Sequence, residues 1–209
     1  YAAGRDGLWN EAFVYKSTNN GYGWSSIWID SKTNLNSIFF TNESTGWIVG
    51  QKGIILKTTD YGETWNNQAS GITQELKKVF FIDNNTGWVV STGGQILKTT
   101  DSGNNWLIQY VASGIALNSI YFKDENNGTA VGIYGYYGPV ILKTSNGGTD
   151  WEANINISSY YLNDIYIFEN NDELVVSCNG EVLKYYCDDS KYPFSIPLSS
   201  PRPERFRLS

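Results

Sequence analysis

Four acidic residues lie where a catalytic carboxyl pair could form: Asp6, Glu11, Glu75 and Asp164. Hydrolysis of a glycosidic bond needs two carboxyl groups about 5–9.5 Å apart. The sequence has no histidine, which removes the commonest general base and metal ligand. It also offers no Ser-His-Asp set, no Cys-His pair and no phosphate-binding loop. These acids therefore leave one catalytic hypothesis, a glycoside hydrolase in which Asp164 acts with Glu11 or Glu75.

Aromatic residues are concentrated in two segments that could bind a ligand by stacking. Trp9 lies in one segment, and Tyr134, Tyr136 and Tyr137 lie in the other. Each ring joins an apolar face to a polar tip, which suits contact with a sugar ring or a peptide. The alternative interpretation is that these rings fold inward and only fill space. Both segments are longer than their equivalents elsewhere in the chain, so they predict enlarged loops of the kind that often carry binding residues.

Polar residues at the starts of predicted strands form a second candidate group. Amides, lysines and one acid recur at these positions and could line a channel that binds a polar ligand. The alternative is a solvated lining without a ligand. The ligand-binding candidates are Trp9, Glu11, Tyr134, Tyr136, Tyr137, Asn36, Lys77, Lys78, Asn118 and Asp164. Lysines that recur beside the tryptophan-closed turns, such as Lys57 and Lys98, are predicted to be exposed.

The elements that must position these residues repeat along the chain. Trp24, Trp65, Trp106 and Trp151 each close a Ser/Thr-x-Asp/Asn-x-Gly-x-x-Trp turn, at spacings of 41, 41 and 45 residues. A fixed period of this size predicts a repeat architecture. In the second copy, short apolar segments at 35–41, 47–50, 54–58 and 65–69 are separated by turn residues. This pattern indicates four β-strands per repeat and no helix.

The tryptophan-closed turn has a local physical explanation. The carboxylate of Asp60 or Asp101 can accept hydrogen bonds from the backbone N–H groups that follow it, as in an Asx turn. Glycines such as Gly62 and Gly103 can adopt the positive φ that the turn requires. A metal site would need several carboxylates that converge on one point. The turn is therefore predicted to be structural, and no metal site or cofactor is expected.

This turn resembles the Asp-box, or BNR, repeat of sialidase-like propellers. The fuller unit, with Thr45-Gly-Trp-Ile-Val-Gly50 before the box, resembles the photosystem II assembly/stability factor family over about residues 1–186. The resemblance implies a β-propeller, a structural role for the box and a function in assembly. Sialidase activity, by the same resemblance, needs three arginines. Arg5 is the only arginine before Arg202, which argues against that activity.

The repeats predict an all-β protein, a β-propeller of four-stranded antiparallel blades in one domain. Five blades are favoured, because the same spacing leads to a C-terminal strand at 203–208 that would complete the first blade and remove exposed sheet edges. The alternative is a fragment of a longer ring, for which the family resemblance implies seven blades; Pro201 and Pro203 are also poor strand residues. The predicted blades are about 1–30 with 203–208, 31–70, 71–111, 112–156 and 157–198.

The predicted function is a non-catalytic scaffold that binds a protein or peptide on one face. A lectin-like glycan-binding propeller is the first alternative, and the glycoside hydrolase is the second. The formal net charge of −6 argues against a nucleic-acid partner, which needs clustered basic residues. No apolar run reaches the ~18 residues of a membrane span. We expect an extracellular or periplasmic monomer, and a start at Tyr1 without methionine predicts that a preceding segment exists.

Overall fold

The computed structural model of the chain describes residues 1–5, 12–29, 33–135, 137–154, 161–168, 172–178, 180 and 182–185. These residues fold into antiparallel β-sheets. The chain divides into two compact units, Tyr1–Ser113 and Gly114–Ser209. Within each sheet the strands follow sequence order, so that each strand pairs with the one before it.

The described part of the first unit contains three sheets. A short 3-10 turn, Gln51–Gly53, precedes the third strand of the second sheet. The first sheet is β1 (Ala2–Arg5), β2 (Ala12–Lys16) and β3 (Ser25–Ile29). The second is β4 (Leu35–Phe40), β5 (Gly46–Gly50), β6 (Ile55–Thr58) and β7 (Asn66–Gln68). The third is β8 (Leu76–Phe81), β9 (Gly87–Ser91), β10 (Gln95–Thr99) and β11 (Leu107–Val111).

The described part of the second unit contains the fourth and fifth sheets. The fourth is β12 (Ile115–Phe122), β13 (Gly128–Tyr134), β14 (Gly138–Thr144) and β15 (Glu152–Asn154). The fifth is β16 (Leu162–Ile167), β17 (Glu173–Ser177) and β18 (Val182–Tyr185). The strands of the second sheet lie within a residue of the segments predicted from the repeat, which confirms four short strands in that repeat.

The first strand of each of the second to fifth sheets, called the inner strand here, has a bulge directly after a leucine. In β4, Leu35 pairs with Gly50 and Ser37 pairs with Val49, so Asn36 is an extra residue in the ladder. The same place in β8, β12 and β16 is taken by Lys77, Asn118 and Asn163. A bulge bends its strand and redirects a side chain. These residues are therefore positioned by a break in the pairing and not by regular strand geometry.

The core of the first unit lies between its sheets. The ring of Trp47 stacks on that of Phe81 in the next sheet with centroids 3.8 Å apart, and both residues are buried. Tyr1 stacks on Phe40 in the same way, at 4.0 Å. Large aromatic side chains dominate the hydrophobic stabilisation of such contacts. Tyr1 therefore occupies in the first sheet the position that Trp47 occupies in the second.

A phenylalanine that packs over a glycine ends the inner strand in three sheets. A Cβ on Gly46 would lie 2.7 Å from the ring of Phe40, and Trp65 meets that ring edge-on at 5.9 Å between centroids. The same set recurs as Phe81, Gly87 and Trp106, and as Phe122, Gly128 and Trp151. The fifth sheet instead pairs Ile167 with Glu173 at these two strand positions.

The Asp-box turns are held by hydrogen bonds within each turn. In the second sheet, the backbone N–H of Thr64 donates to Asp60 Oδ1 at 2.9 Å, and the Thr64 hydroxyl donates to Oδ2 at 2.6 Å. The hydrogen bond from the Thr64 hydroxyl is the main reason why the pKa of Asp60 falls to about 2. Gly62 has a φ of 78°, which suits glycine. The prediction of a structural turn is confirmed.

The boxes of the third and fourth sheets keep this geometry with different residues. In the third sheet the side-chain amide of Asn105 donates to Asp101 Oδ2 at 2.7 Å. In the fourth sheet the donor and the acceptor exchange positions, because the amide of Asn146 donates to Asp150 Oδ2 at 3.0 Å. Each pair therefore contains one donor and one acceptor, whichever residue supplies them.

Residues 199–209, with the predicted closing strand at 203–208, lie outside the described residues. Five blades and a single domain therefore stay predictions. In the part of the chain that the structure describes, no helix is long and apolar enough to cross a membrane.

Candidate functional site

Asn36, a predicted ligand-binding residue, bonds to the next sheet. Its side-chain nitrogen donates to the carbonyl oxygen of Leu76 at 2.7 Å and to Glu75 Oε1 at 2.9 Å. Lys77 places its ammonium nitrogen 3.6 Å from the same carboxylate oxygen, and Lys78 follows it, half-buried. The structure thus brings Asn36 and Lys77 together around Glu75, where their polar groups join two inner strands.

Asn118 and Asp164 make an equivalent link in the second unit. The Asn118 amide donates to the carbonyl oxygen of Leu162 at 2.7 Å. The buried hydroxyl of Ser119 donates to Asp164 Oδ1, which also accepts a bond from the N–H of Ile165 at 3.0 Å. These bonds are structural, since they tie one inner strand to the next. A ligand-binding role for these residues stays a prediction and would require the same atoms to change partners.

The aromatic insertion around residue 134 forms a longer hairpin and not an enlarged open loop. β13 and β14 stay paired as far as Tyr134 and Gly138, because the inserted residues extend both strands. The rings of Tyr134 and Tyr137 stack with centroids 5.0 Å apart, and Tyr137 is 74% exposed. The prediction of an enlarged loop was therefore wrong, because the extra residues lengthen two paired strands. Trp9, Glu11 and Tyr136, the other members of this candidate group, lie outside the described residues.

A groove that the sequence did not predict opens in the first unit beside the 3-10 turn. We call it the 52/70 groove; it is lined by Thr33 and by residues 51–54 and 67–73, and its volume is about 440 Å³. Ile54 and Ile72 supply apolar surface, and Lys52 is the charged residue among the lining residues. This volume lies within the range of about 300–1,000 Å³ that is common for ligand sites.

Close backbone contact holds the wall of the 52/70 groove in place. Gly53 has a φ of 71°, and a Cβ there would lie 2.0 Å from the carbonyl oxygen of Ile72. The Ser70 hydroxyl donates to that carbonyl at 3.1 Å and accepts a bond from the Ile72 N–H at 3.3 Å. Such contacts preorganise the groove. Its residue types are ordinary for turns, which is why no sequence motif identified it.

The family relationship is decided by sequence. Residues 16–193 match the family model described as photosynthesis system II assembly factor YCF48. The chain belongs to the YCF48 family. This confirms the resemblance to photosystem II assembly factors that the repeats indicated. No curated protein sequence matches the chain.

Solved structures agree with the fold of the YCF48 family member described here. "YCF48 bound to D1 peptide" is 20% identical with a TM-score of 0.64 over 83% of this chain. The WD40 β-propeller domain of Doa1 is 12% identical with a TM-score of 0.65 over 87% of the chain. The GH74 enzyme of Niastella koreensis is 14% identical with a TM-score of 0.64 over 88%. At these identities the likenesses establish the β-propeller fold alone.

The chain spans only part of these similar structures. It covers 59% of the YCF48 chain, 59% of the Doa1 chain and 35% of the GH74 chain. The binding or catalytic properties of those whole proteins are therefore not transferred by the likeness.

The lysines beside the boxes of this YCF48 family member are half-buried, so the prediction that they are exposed was wrong. Lys143 pairs with the buried Glu173 at 2.9 Å between Nζ and Oε1, and Thr129 donates to the same oxygen at 3.1 Å. Lys57 lies 5.5 Å over the ring of Trp47, and burial lowers its pKa. The Lys143–Glu173 pair connects neighbouring sheets, whereas Lys57 and Trp47 lie opposite each other on paired strands of one sheet. The side chain of Lys184 lies outside the described residues.

The carboxylates proposed for catalysis have structural partners. Glu75 accepts a bond from Asn36 and Asp164 accepts one from Ser119, while Glu11 lies outside the described residues. Across the described ranges, no group of three or more Cys, His, Asp or Glu side chains could hold a metal ion.

Proposed function

We propose that this chain is a non-catalytic propeller that binds a protein or peptide segment and acts in the assembly of photosystem II. The observation that carries the proposal is the match of residues 16–193 to the YCF48 assembly-factor family. A similar solved structure, YCF48 bound to D1 peptide, supports a peptide as the form of partner.

The geometry is compatible with peptide binding on a rigid scaffold. The sheets are joined by buried aromatic stacks and by side-chain bonds to backbone, such as that from Asn36 to Leu76. The ends of the sheets carry an open groove and a stacked tyrosine pair, of which Tyr137 is exposed. Binding residues are commonly found on connections that a rigid scaffold positions.

The chemistry of the described acids supports a role without catalysis. A general acid or base must reach a reacting group in a suitable protonation state. Glu75 and Asp164 instead accept hydrogen bonds that hold inner strands together, and the sequence supplies no histidine. Hydrolysis of an aryl glycoside that is lost in Asp164→Asn would contradict this part of the proposal.

Binding to overlapping synthetic peptides that cover the D1 protein tests the proposed function directly. Fluorescence polarisation with labelled peptides should give saturable binding for a few neighbouring peptides and none for scrambled versions of them. Failure of every D1 peptide, with no capture of photosystem II subunits by the immobilised chain, would contradict an assembly role.

A glycan ligand is the second candidate, because the exposed ring of Tyr137 stacks on the half-buried ring of Tyr134. Aromatic faces of this kind stack on sugar rings. A glycan array with the wild type and with Tyr137→Ala separates the two functions. Saccharide binding that Tyr137→Ala abolishes, in a chain that binds no peptide, would favour the lectin-like function.

Location and oligomeric state complete the proposal. We propose an extracellular or periplasmic monomer. Cell fractionation of the full gene product and light scattering after gel filtration test these two statements, and a cytoplasmic fraction or a dimer mass would contradict them.

A further inference from the structure

Resting on the proposed function, we propose that the 52/70 groove is the site that holds the peptide, and that it selects an extended segment with an acidic side chain. The groove lies in the first unit, beside the 3-10 turn and the last strand of the second sheet. Its shape, its charge and its rigidity each support this assignment.

The backbone around the groove favours an extended ligand. β7 is the outermost strand of the second sheet, and its residues Asn67 and Gln68 line the groove. An outermost strand presents one row of backbone groups outside the ladder, to which an extended peptide can add as a further strand. Ile54 and Ile72 offer apolar surface for a side chain of that peptide.

The charge of the groove favours an acidic ligand. Lys52 is exposed, and its ammonium group makes no ion pair with the residues that the structure describes. None of the lining residues that the structure describes carries a carboxylate, although the whole chain has a formal net charge of −6. The net charge of the chain is unfavourable for a negative peptide, whereas Lys52 attracts it at this groove, which gives orientation and specificity more than affinity.

The groove needs little reorganisation to bind. Lys52 has a φ of 58° within the turn, and Gly53 packs directly on the carbonyl of Ile72. The Ser70 hydroxyl fixes the opposite wall by two hydrogen bonds to Ile72. A site that is fixed before binding loses less conformational entropy when the peptide enters.

The experiment begins with a ligand that does not depend on D1. Random 12-residue peptides displayed on phage are selected on the immobilised chain, and the enriched peptides are synthesised with a fluorescent label. Each peptide is also made with Asn and Gln in place of Asp and Glu. Affinities are measured by fluorescence polarisation at low and at moderate salt, because exposed ion pairs weaken as salt rises.

Two substitutions test the groove against a matched control. Lys52→Asn removes the charge and keeps a residue type that tolerates positive φ. Ala69→Trp obstructs the groove, since Ala69 is an exposed lining residue. Lys123→Asn is the control, because it makes the same change at an exposed lysine in a turn of the second unit. Thermal melting of each variant confirms that it folds.

We expect acidic peptides to be enriched and Lys52→Asn to weaken their binding by about threefold to tenfold. The neutral peptides should bind the wild type more weakly by a similar factor and should be insensitive to Lys52→Asn. Ala69→Trp should weaken both kinds of peptide by about tenfold or more, and Lys123→Asn should bind as the wild type does. Equal binding by the wild type, Lys52→Asn and Ala69→Trp would overturn the assignment.

The two proposals can fail separately. If selected acidic peptides depend on Lys52 while no D1 peptide binds and no photosystem II subunit is captured, the groove is a peptide site and the assembly role is contradicted. If a D1 peptide binds equally well to the wild type, Lys52→Asn and Ala69→Trp, the assembly role stands and the groove assignment is overturned.

Discussion

The two ends of each sheet are built on different principles. At one end, the Asp-box turns repeat one set of hydrogen bonds with interchangeable residues, as the pairs Asp60 with Thr64 and Asn146 with Asp150 illustrate. At the other end, bulges and glycines hold the backbone at very short distances, and the connections differ from sheet to sheet. The 52/70 groove and the tyrosine hairpin both lie at this second end.

The difference between the two ends shows where substitutions preserve the structure and where functional differences between repeats can arise. In the second, third and fourth sheets the box accepts a donor and an acceptor from either residue of the pair, so its sequence varies while its hydrogen bond is kept. At the second end the backbone is fixed by contacts that side chains cannot replace, but the residues between those contacts are free to vary. We therefore expect functional differences among such repeats to lie in the connections at the second end.

The largest effect on stability should come from replacing a glycine by alanine at the end of the sheet that carries the bulges. In Gly50→Ala the Cβ would lie 2.1 Å from the carbonyl oxygen of Asn34, so the free energy of unfolding should fall by about 3 kcal/mol or more. Gly4→Ala is the matched control, because Gly4 is the repeat equivalent with no atom within 4 Å, and it should change stability by less than about 0.5 kcal/mol.

Urea denaturation of both alanine variants measures this difference. Equal stability of Gly50→Ala and the wild type would contradict the close approach at the bulge. A large loss in Gly4→Ala would instead indicate an inner strand against the first sheet, as the prediction of a closing strand at 203–208 requires.

The next effect concerns the buried ion pair beside the box of the fourth sheet. Lys143→Met should lower the free energy of unfolding by about 2–3 kcal/mol, because the carboxylate of Glu173 would remain buried without its charged partner. Combining Lys143→Met with Glu173→Leu should recover much of this loss. Thermal and urea unfolding check both variants, and a double variant less stable than Lys143→Met would contradict the explanation.

A smaller effect tests the donor and acceptor rule of the boxes. Asn146→Asp places a second carboxylate against Asp150, whose Oδ2 is 3.0 Å from the present amide nitrogen, and should cost about 1 kcal/mol at neutral pH. Asn146→Asp with Asp150→Asn restores one donor and one acceptor, as in Asp101 with Asn105. A double-mutant cycle should therefore show favourable coupling, and additive losses would refute the rule.

The smallest effect is a pH dependence. The pKa of Asp60 is about 2 in the folded chain, below its ordinary value of 3.8. Its stabilising contribution is therefore complete above the ordinary pKa and is lost as the pH falls toward 2. Asp60→Asn keeps an acceptor for the turn but cannot titrate. The difference in Tm between wild type and Asp60→Asn should narrow between pH 5 and about pH 2; a constant difference would contradict this prediction.

The sequence was sufficient to predict the sheets and the boxes because both depend on local patterns. Period-two alternation and turn residues locate a strand such as β6, Ile55–Thr58, within one residue of the predicted 54–58. The box chemistry follows from Asp60, Gly62 and Thr64, which lie within five positions of one another. Interactions within a few residues can be read from spacing alone.

The sequence was not sufficient for contacts between sheets. The bond from Asn36 to Leu76 depends on a one-residue bulge, and spacing reveals neither a bulge nor the direction of a side chain. One sequence pattern could have indicated these contacts, because an asparagine directly follows the first leucine of three inner strands, at Asn36, Asn118 and Asn163. The 52/70 groove could not be predicted from the sequence either, since it depends on the close approach of Gly53 to Ile72.

The bond from Asn36 to the carbonyl of Leu76 at the start of β8 ties the second sheet to the third. Contacts of this kind give repeat proteins nearest-neighbour cooperativity, in which terminal modules open before central ones. Amide hydrogen exchange in the first unit should therefore be slowest in β5 and β6, whose sheet packs against a sheet on each side. The strands β1 and β3 should exchange sooner, because their sheet packs, among the sheets that the structure describes in this unit, against the second sheet only.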